Sequence, residues 1–265
     1  MVVVSDGPDP LEGRHLYGQD PAVYALGRPD YPPRVYHLLI SRCGLTASSR
    51  VLEIGPGTGL VTRRLLDVGA RVTAVEPDPA MAHYLTQALP EPRLDIVVQA
   101  FEDASLAASA FDVAVAANSF HWVAQPRGLQ QLGRAIRSDG WVALWGMLFE
   151  DPTTPDDLSR LVEDLVGKSP GSDHRQLPSP FDQTSRRAEL SAAGFVDIDS
   201  ELLRDTIELD PLKARALYAS MTVILRRTAE QRPAVLDAIE AAVRDRFGGC
   251  VQRQTVGVIY TARNP

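Results

Sequence analysis

The chain has 265 residues, room for one large domain or a domain with a cap, and ample length for a buried core. Lys and Arg number 27 against 34 Asp and Glu, so a net charge of −7 repels polyanions and disfavours nucleic acid as a substrate unless a local basic groove offsets it. Cys43 and Cys250 are too few for a disulfide framework or metal cluster, Met1-Val-Val-Val is too short for a signal segment, and no apolar run reaches membrane-spanning length, which together predict a soluble, cytoplasmic protein with no metal and no membrane partner.

Residues 1–14, rich in Pro, Gly and Asp, read as a loose tail. Tyr17, Tyr24, Arg28 and Tyr31 follow, the last three in a Tyr…Gly-Arg-Pro-x-Tyr-Pro string. Pro32-Pro33 then open a helix from Arg34 to Cys43 that presents Val35, Leu38 and Leu39 to a core. The chemical centre is Arg50-Val-Leu-Glu-Ile-Gly-Pro-Gly-Thr-Gly-Leu60: a β-rich run from Val51 to Ile54, the glycines 55, 57 and 59, then Leu60, Val61, Leu65 and Leu66 at helical spacing. Strand, tight turn and helix in that order are the first βα crossing of an open α/β sheet. Glycines there permit positive φ and close approach of a ligand, and the N–H groups opening the helix stay free for it. A second run, Arg71–Val75, ends in Glu76, and a carboxylate at that strand tip can accept from both ribose hydroxyls of a nucleoside.

Asp78 to Leu89 reads as helical, with Met81 open to two roles, ligand flank or core, and His83 solvated. Strand three is Leu94–Val98, followed by Phe101, Glu102 and Asp103. Strand four, Asp112 to Ala117, leads into Asn118-Ser119-Phe120-His121-Trp122, where ligands of open α/β sheets gather. His121 has two readings, a general base for an acceptor hydroxyl or a structural or gating group, and Trp122 shapes the pocket or caps a helix junction. A helix over Pro126–Arg137 and a Ser138-Asp139-Gly140 turn feed strand five, Trp141–Gly146. Beyond Glu150 come a helix over Leu158–Val166 and a breaker-rich loop from Gly167 to Pro180, where His174 and Arg175 either meet an anionic acceptor or are solvated. A helix over Arg186–Ala193 stops at Gly194, β-material runs from Phe195 to Leu209, and helices follow over Pro211–Arg226 and Glu230–Phe247. Gln252–Arg263 is the final strand.

Glu53-x-Gly-x-Gly-x-Gly resembles motif I of the class I S-adenosylmethionine-dependent methyltransferases. The likeness continues through Glu76-Pro-Asp-Pro-Ala-Met81, Phe111–Asn118 and Ile136-Arg-Ser-Asp-Gly140, where the family's usual Pro-Gly-Gly is reduced to Ser-Asp-Gly. The N-terminal string, with Phe120-His-Trp122, resembles a small-molecule subgroup that includes trans-aconitate methyltransferase-like proteins. The resemblance implies an α/β, Rossmann-like doubly wound sheet, mostly parallel with an antiparallel last strand, plus a helical cap inserted in the C-terminal half. Residues 15–150 would form the cofactor core with an N-terminal lid segment, and 151–265 the cap helices and strands that complete the same domain. It implies S-adenosyl-L-methionine as cofactor, held by Tyr24, Arg28, Glu53, Gly55, Pro56, Gly57, Thr58, Gly59, Glu76, Pro77, Met81, Phe101, Glu102, Asn118 and Ser119. Within that set, Arg28 would pair with the methionine carboxylate, unless it only pins a loop with its tyrosines. Met81 would flank adenine; Phe101 would stack on it or merely fill space, and either Glu102 or Asp103 would face its edge. Tyr17, Tyr31, Phe120 and Trp122 would line the acceptor pocket.

The expected activity is methyl transfer to a small-molecule acceptor, at hydroxyl or carboxylate oxygen, by a monomer or homodimer. Sulfonium chemistry asks chiefly for alignment, so a carboxylate acceptor needs no base. A cyclase-like protein that keeps the cofactor without transferring methyl would carry the same motifs. A nicotinamide oxidoreductase is disfavoured, because the third glycine arrives too early for Gly-x-Gly-x-x-Gly. Protein or RNA methylation lacks an Asn/Asp-Pro-Pro-Tyr string after strand four.

Overall fold

Alternating apolar runs and capped helices order the chain into a seven-stranded sheet, seen in a computed structural model that describes residues 16–167 and 181–265. The expected loose tail, and His174 and Arg175 with nearly all of their loop, lie outside the described residues. A 3-10 turn at Tyr17–Gln19 precedes α1 (Pro21–Gly27), α2 (Pro33–Ser41) and β1 (Arg50–Ile54). Next come α3 (Leu60–Val68), β2 (Arg71–Val75), α4 (Pro79–Ala88), β3 (Leu94–Val97) and β4 (Phe111–Ala117). Then follow α5 (Gln125–Ala135), β5 (Ile136–Leu148), α6 (Asp157–Val166), α7 (Gln183–Ala192) and β6 (Val196–Leu209). The chain closes with α8 (Pro211–Ala219), α9 (Thr222–Leu225), α10 (Gln231–Asp245) and β7 (Val251–Arg263).

The strand order is β3-β2-β1-β4-β5-β7-β6. β1 pairs in parallel with β2 on one side and β4 on the other, with Glu53 opposite Ala74 and Val115. The order reverses between β1 and β4, so the ends of those two strands frame the crevice where such sheets bind ligands. The first five strands run parallel, and the last strands are antiparallel. No helix among the described residues is long and apolar enough to cross a membrane.

Contacts divide the chain into two units. One comprises Asp30–Met147, Pro178–Arg204 and Val256–Pro265. Its core packs Leu39, Val51, Leu65, Leu85, Val115, Trp145 and Ile259, all nearly inaccessible to water. Each buried aliphatic side chain of this kind contributes roughly 1.5–3 kcal/mol. The other comprises Met1–Pro29, Leu148–Leu177 and Asp205–Thr255, with a core of Leu158, Leu217, Ile224, Ile239 and Val243.

Three local differences from the sequence reading have identifiable causes. α1 is absent from that reading, although Asp20 accepts from Val23 N at 3.0 Å and Pro21 sits in the first turn, an ordinary start signal. The expected helix from Pro211 to Arg226 breaks after Ala219. Ser220 turns its hydroxyl back onto Leu217 O at 2.6 Å, and its own carbonyl accepts from Arg28 at 2.7 Å. The expected Ser138–Gly140 turn is instead drawn into β5 as a bulge, with Phe111 opposite Ile136 but Val113 opposite Trp141. Asn264 causes this: its backbone bonds Asp139 N and Gly140 O, and its side-chain amide donates to the carbonyls of Gly133, Ile136 and Arg137.

Candidate cofactor site

The turn after β1 is built from three left-handed glycines, with φ of +65°, +55° and +88° at Gly55, Gly57 and Gly59. A side chain at Gly55 would meet Ser119 Cβ at 2.6 Å, so the turn and the loop after β4 touch where only glycine fits. Ser119 completes that contact by donating its hydroxyl to Ile54 O at 2.5 Å. Pro56 and Thr58 are buried between the glycines, and Gly59 N bonds Pro56 O to close the turn. Gly59 then caps α3 without any side-chain hydrogen bond at its N-terminus.

Glu76 lies at the tip of β2, only 5% exposed. Its Oε2 accepts from Gly57 N and its Oε1 from Asp78 N, both at 3.0 Å, which ties the glycine turn to the second strand. Asp78 in turn caps α4 by accepting from Ala80 N and Met81 N, leaving Met81 buried just inside the helix. Asp78 was not among the expected site residues, although Asp-Pro at a helix start is the signal that would have found it.

Glu53 is 3% exposed, two residues before the glycines. Burial first, and then the negative charge of Glu76, push its carboxyl up to about 8, with Thr62 of α3 offsetting part of that rise. Neither Glu53 Oε2 nor Thr62 Oγ1 has a hydrogen-bond partner. Orphaned buried oxygens are rare, and here they belong to the two residues that flank the glycine turn.

Phe101 is buried in a 3-10 turn after β3 with Glu102 half-buried beside it. Asp103 points the other way, onto the surface, and pairs with Arg127 at 2.6 Å. Asn118 takes a φ of +50° at the end of β4, and its Oδ1 accepts from Met147 N at 2.7 Å. Phe120, His121 and Trp122 form a further 3-10 turn, with the His121 and Trp122 rings 4.8 Å apart. Although part of His121 reaches solvent, crowding around the ring and then the charge of Arg186 lower its pKa to about 4. Arg186 lies 5.7 Å from the Phe120 ring, held by Gln125 Oε1 at 2.6 Å and Glu189 at 2.7 Å. No sequence signal marks Arg186, because α7 carries it to this place from 65 residues along the chain. Tyr31 stands edge-on to Trp145 at 5.6 Å.

Tyr17, Tyr24 and Arg28 belong to the other unit and come together there. The Arg28 guanidinium lies 4.7 Å from the Tyr24 ring, 5.7 Å from Tyr17 and 5.0 Å from Phe149, while donating to Ser220 O.

A family profile described as a methyltransferase domain matches residues 52–144, the stretch from β1 to β5. An uncharacterized methyltransferase of Mycobacterium tuberculosis is 31% identical over 228 residues, covering 84% of this chain and 83% of its own length. Among solved structures, a phosphoethanolamine N-methyltransferase of Haemonchus contortus, bound to S-adenosylhomocysteine, superposes with a TM-score of 0.59 at 14% identity over all of this chain and 61% of that one. A [4+2]-cyclase superposes at 0.57 with 19% identity, over 97% of this chain and 96% of that one. The glycine turn, the carboxylate at the tip of β2 and the spare buried acceptor fit the same cofactor. The chain belongs to the class I S-adenosylmethionine-dependent methyltransferases, and S-adenosylmethionine is its cofactor.

Proposed function

We propose that this enzyme methylates a small-molecule acceptor at oxygen, with a carboxylate as the acceptor group. The observation that carries this is the electrostatics after β4. Arg186, although paired with Glu189, places its guanidinium 5.7 Å from the Phe120 ring and adds to the burial that holds His121 neutral. An anionic acceptor can share the Arg186 guanidinium with Glu189, and a carboxylate needs no base to react. When bound, S-adenosylmethionine supplies an already activated methyl group, so the protein's task is to align and to exclude water.

In this reading Glu76 holds the ribose, while Gly55, Pro56, Gly57, Thr58 and Gly59 let the cofactor approach the backbone. Pro77, Met81 and Phe101 enclose adenine, and Glu102 rather than Asp103 faces its edge, since Asp103 is engaged on the surface with Arg127. Asn118 and Ser119 offer backbone carbonyls, and Phe120, Trp122 and Tyr31 shape the acceptor side. His121 acts by position, because a group titrating near 4 is a weak base.

The test is transfer of labelled methyl from S-adenosylmethionine to a panel of carboxylic acids, alcohols, amines, RNA and proteins. A base-labile methyl ester supports the reading, and label confined to amines, RNA or protein overturns it. The likeness to a cyclase keeps a second reading, cofactor retention without transfer. Conversion of a substrate without release of S-adenosylhomocysteine would select it.

A further inference from the structure

Gln125 of α5 and Arg186 of α7 meet beside the Phe120–Trp122 turn, and their contact leaves one edge of a guanidinium unused. Both polar contacts of the Arg186 side chain fall on Nη1: Gln125 Oε1 accepts from it at 2.6 Å, and Glu189 Oε2 lies 2.7 Å away. Gln125 is itself fixed, because its amide donates to the carbonyls of Phe120 at 2.8 Å and Val123 at 2.9 Å, which leaves its oxygen for the arginine. The Phe120 ring supports the guanidinium at 5.7 Å. Asp182, the acid that caps α7, is committed to Thr184 N, Ser185 N and the Ser185 hydroxyl. Among the described residues, Nε and Nη2 of Arg186 have no hydrogen-bond partner. Both stay open to solvent, although the side chain as a whole is only 13% exposed.

Nε–H and Nη2–H lie side by side on one edge, the fork that matches the two oxygens of a carboxylate. This protein fills the same edge with carboxylates elsewhere. Arg34 presents it to Glu201, with 2.7 Å to each oxygen, and Arg253 presents it to Asp156 at 2.8 and 2.9 Å. Arg186 is sheltered, held from its other side, and carries that fork empty. Glu189 already offsets part of its charge, so the recess suits a monoanion better than a phosphate dianion. The geometry points to Arg186 as the residue that selects the acceptor, its Nε–Nη2 edge binding the acceptor's carboxylate through two hydrogen bonds. Each oxygen held in this way keeps a second lone pair, so the anchored group is still able to attack a methyl carbon. A methyl ester has no charge to offer the fork, so the site favours the acid over its methylated product. The inference rests on the carboxylate reading above and names the side chain that enforces it.

Two measurements test it. Arginine Nε–Hε signals of the isotope-labelled enzyme, loaded with S-adenosylhomocysteine and assigned through the backbone, are followed by nuclear magnetic resonance as sodium benzoate is added. The Arg186 signal should shift and saturate with benzoate and stay still with benzamide or methyl benzoate, while phenyl phosphate should bind more weakly than benzoate. Arg186→Lys keeps the charge and loses the fork, so calorimetry should show benzoate binding weakened roughly tenfold to a hundredfold. Across the carboxylic acids of the methyl-transfer panel, the same variant should raise KM with little change in kcat. No shift at Arg186, equal shifts with benzamide, tighter binding of phenyl phosphate, or unchanged benzoate binding by Arg186→Lys overturns the inference alone. A panel that yields no methyl ester overturns the carboxylate reading, and a wild-type fork that still takes benzoate then places the failure in that reading. The wild-type signals decide the matter even if Arg186→Lys fails to fold.

Discussion

Glu76 directs both of its carboxylate oxygens at backbone N–H groups, so removing it touches fold and ligand together. Glu76→Ala leaves the N–H groups of Gly57 and Asp78 without that acceptor, a cost of about 1–3 kcal/mol each where no water replaces it. Thermal denaturation should show a lower midpoint, and calorimetry weaker binding of S-adenosylhomocysteine. Normal binding by Glu76→Ala would remove it from the ribose site. Gly55→Ala should be worse for its size, since φ is +65° and the new methyl would stand 2.6 Å from Ser119 Cβ. His121 makes the opposite case. With its pKa lowered to about 4, it is neutral from pH 5 upward, so the rate should show no inflection near 6.5 that His121→Ala abolishes. A pH–rate profile with such an inflection would restore the base.

At the scale of elements, the fully buried Arg253 of β7 joins two others. It bonds both oxygens of Asp156, the residue that caps α6, at 2.8 and 2.9 Å, and Tyr218 Oη on α8 at 2.7 Å. Burial pushes the Tyr218 phenol up to about 12, with Arg253 opposing the shift, so the phenol stays protonated. Arg253→Ala and Arg253→Met both strand Asp156, so each should cost about 3–5 kcal/mol in denaturant unfolding. If Arg253→Met costs far less than Arg253→Ala, packing rather than charge holds these elements. Gly27 marks a second close contact: a Cβ there would stand 2.1 Å from Ala216 O, so α1 lies directly on α8. Neither feature was legible in the sequence. Gln252-Arg253-Gln254 reads as the polar start of the final strand, and only the fold reveals that its middle member is buried. The glycine turn, the strand tips and the places of Glu53 and Glu76 on them were legible, because local conformation and short spacing encode them. The break at Ser220 and the position of Arg186 were not, since both depend on partners far along the chain.

For the whole molecule, the burial of Glu53 bears on stability. Its folded pKa lies above the unfolded value of 4.5, so the native state binds more protons between about pH 4.5 and 8. The contribution of Glu53 to cofactor-free stability is full below that window, falls as pH rises through it, and is flat above. Glu53→Gln should therefore gain most over the wild type at pH 8 and little at pH 4, read as the difference in melting temperature across a pH series. A difference independent of pH would place the proton elsewhere. The strand order has a further consequence, for synthesis. β7 is made last but lies between β5 and β6 in the sheet. As the chain emerges from the ribosome, the 14 residues of β6 appear well before their hydrogen-bonding neighbour, and α8 to α10 are made in the interval. Until β7 inserts, both β5 and β6 present open edges, the arrangement most prone to pairing with another nascent chain. Released chains truncated before Val251 should therefore aggregate, while released chains that include Val251–Arg263 should be able to close the sheet.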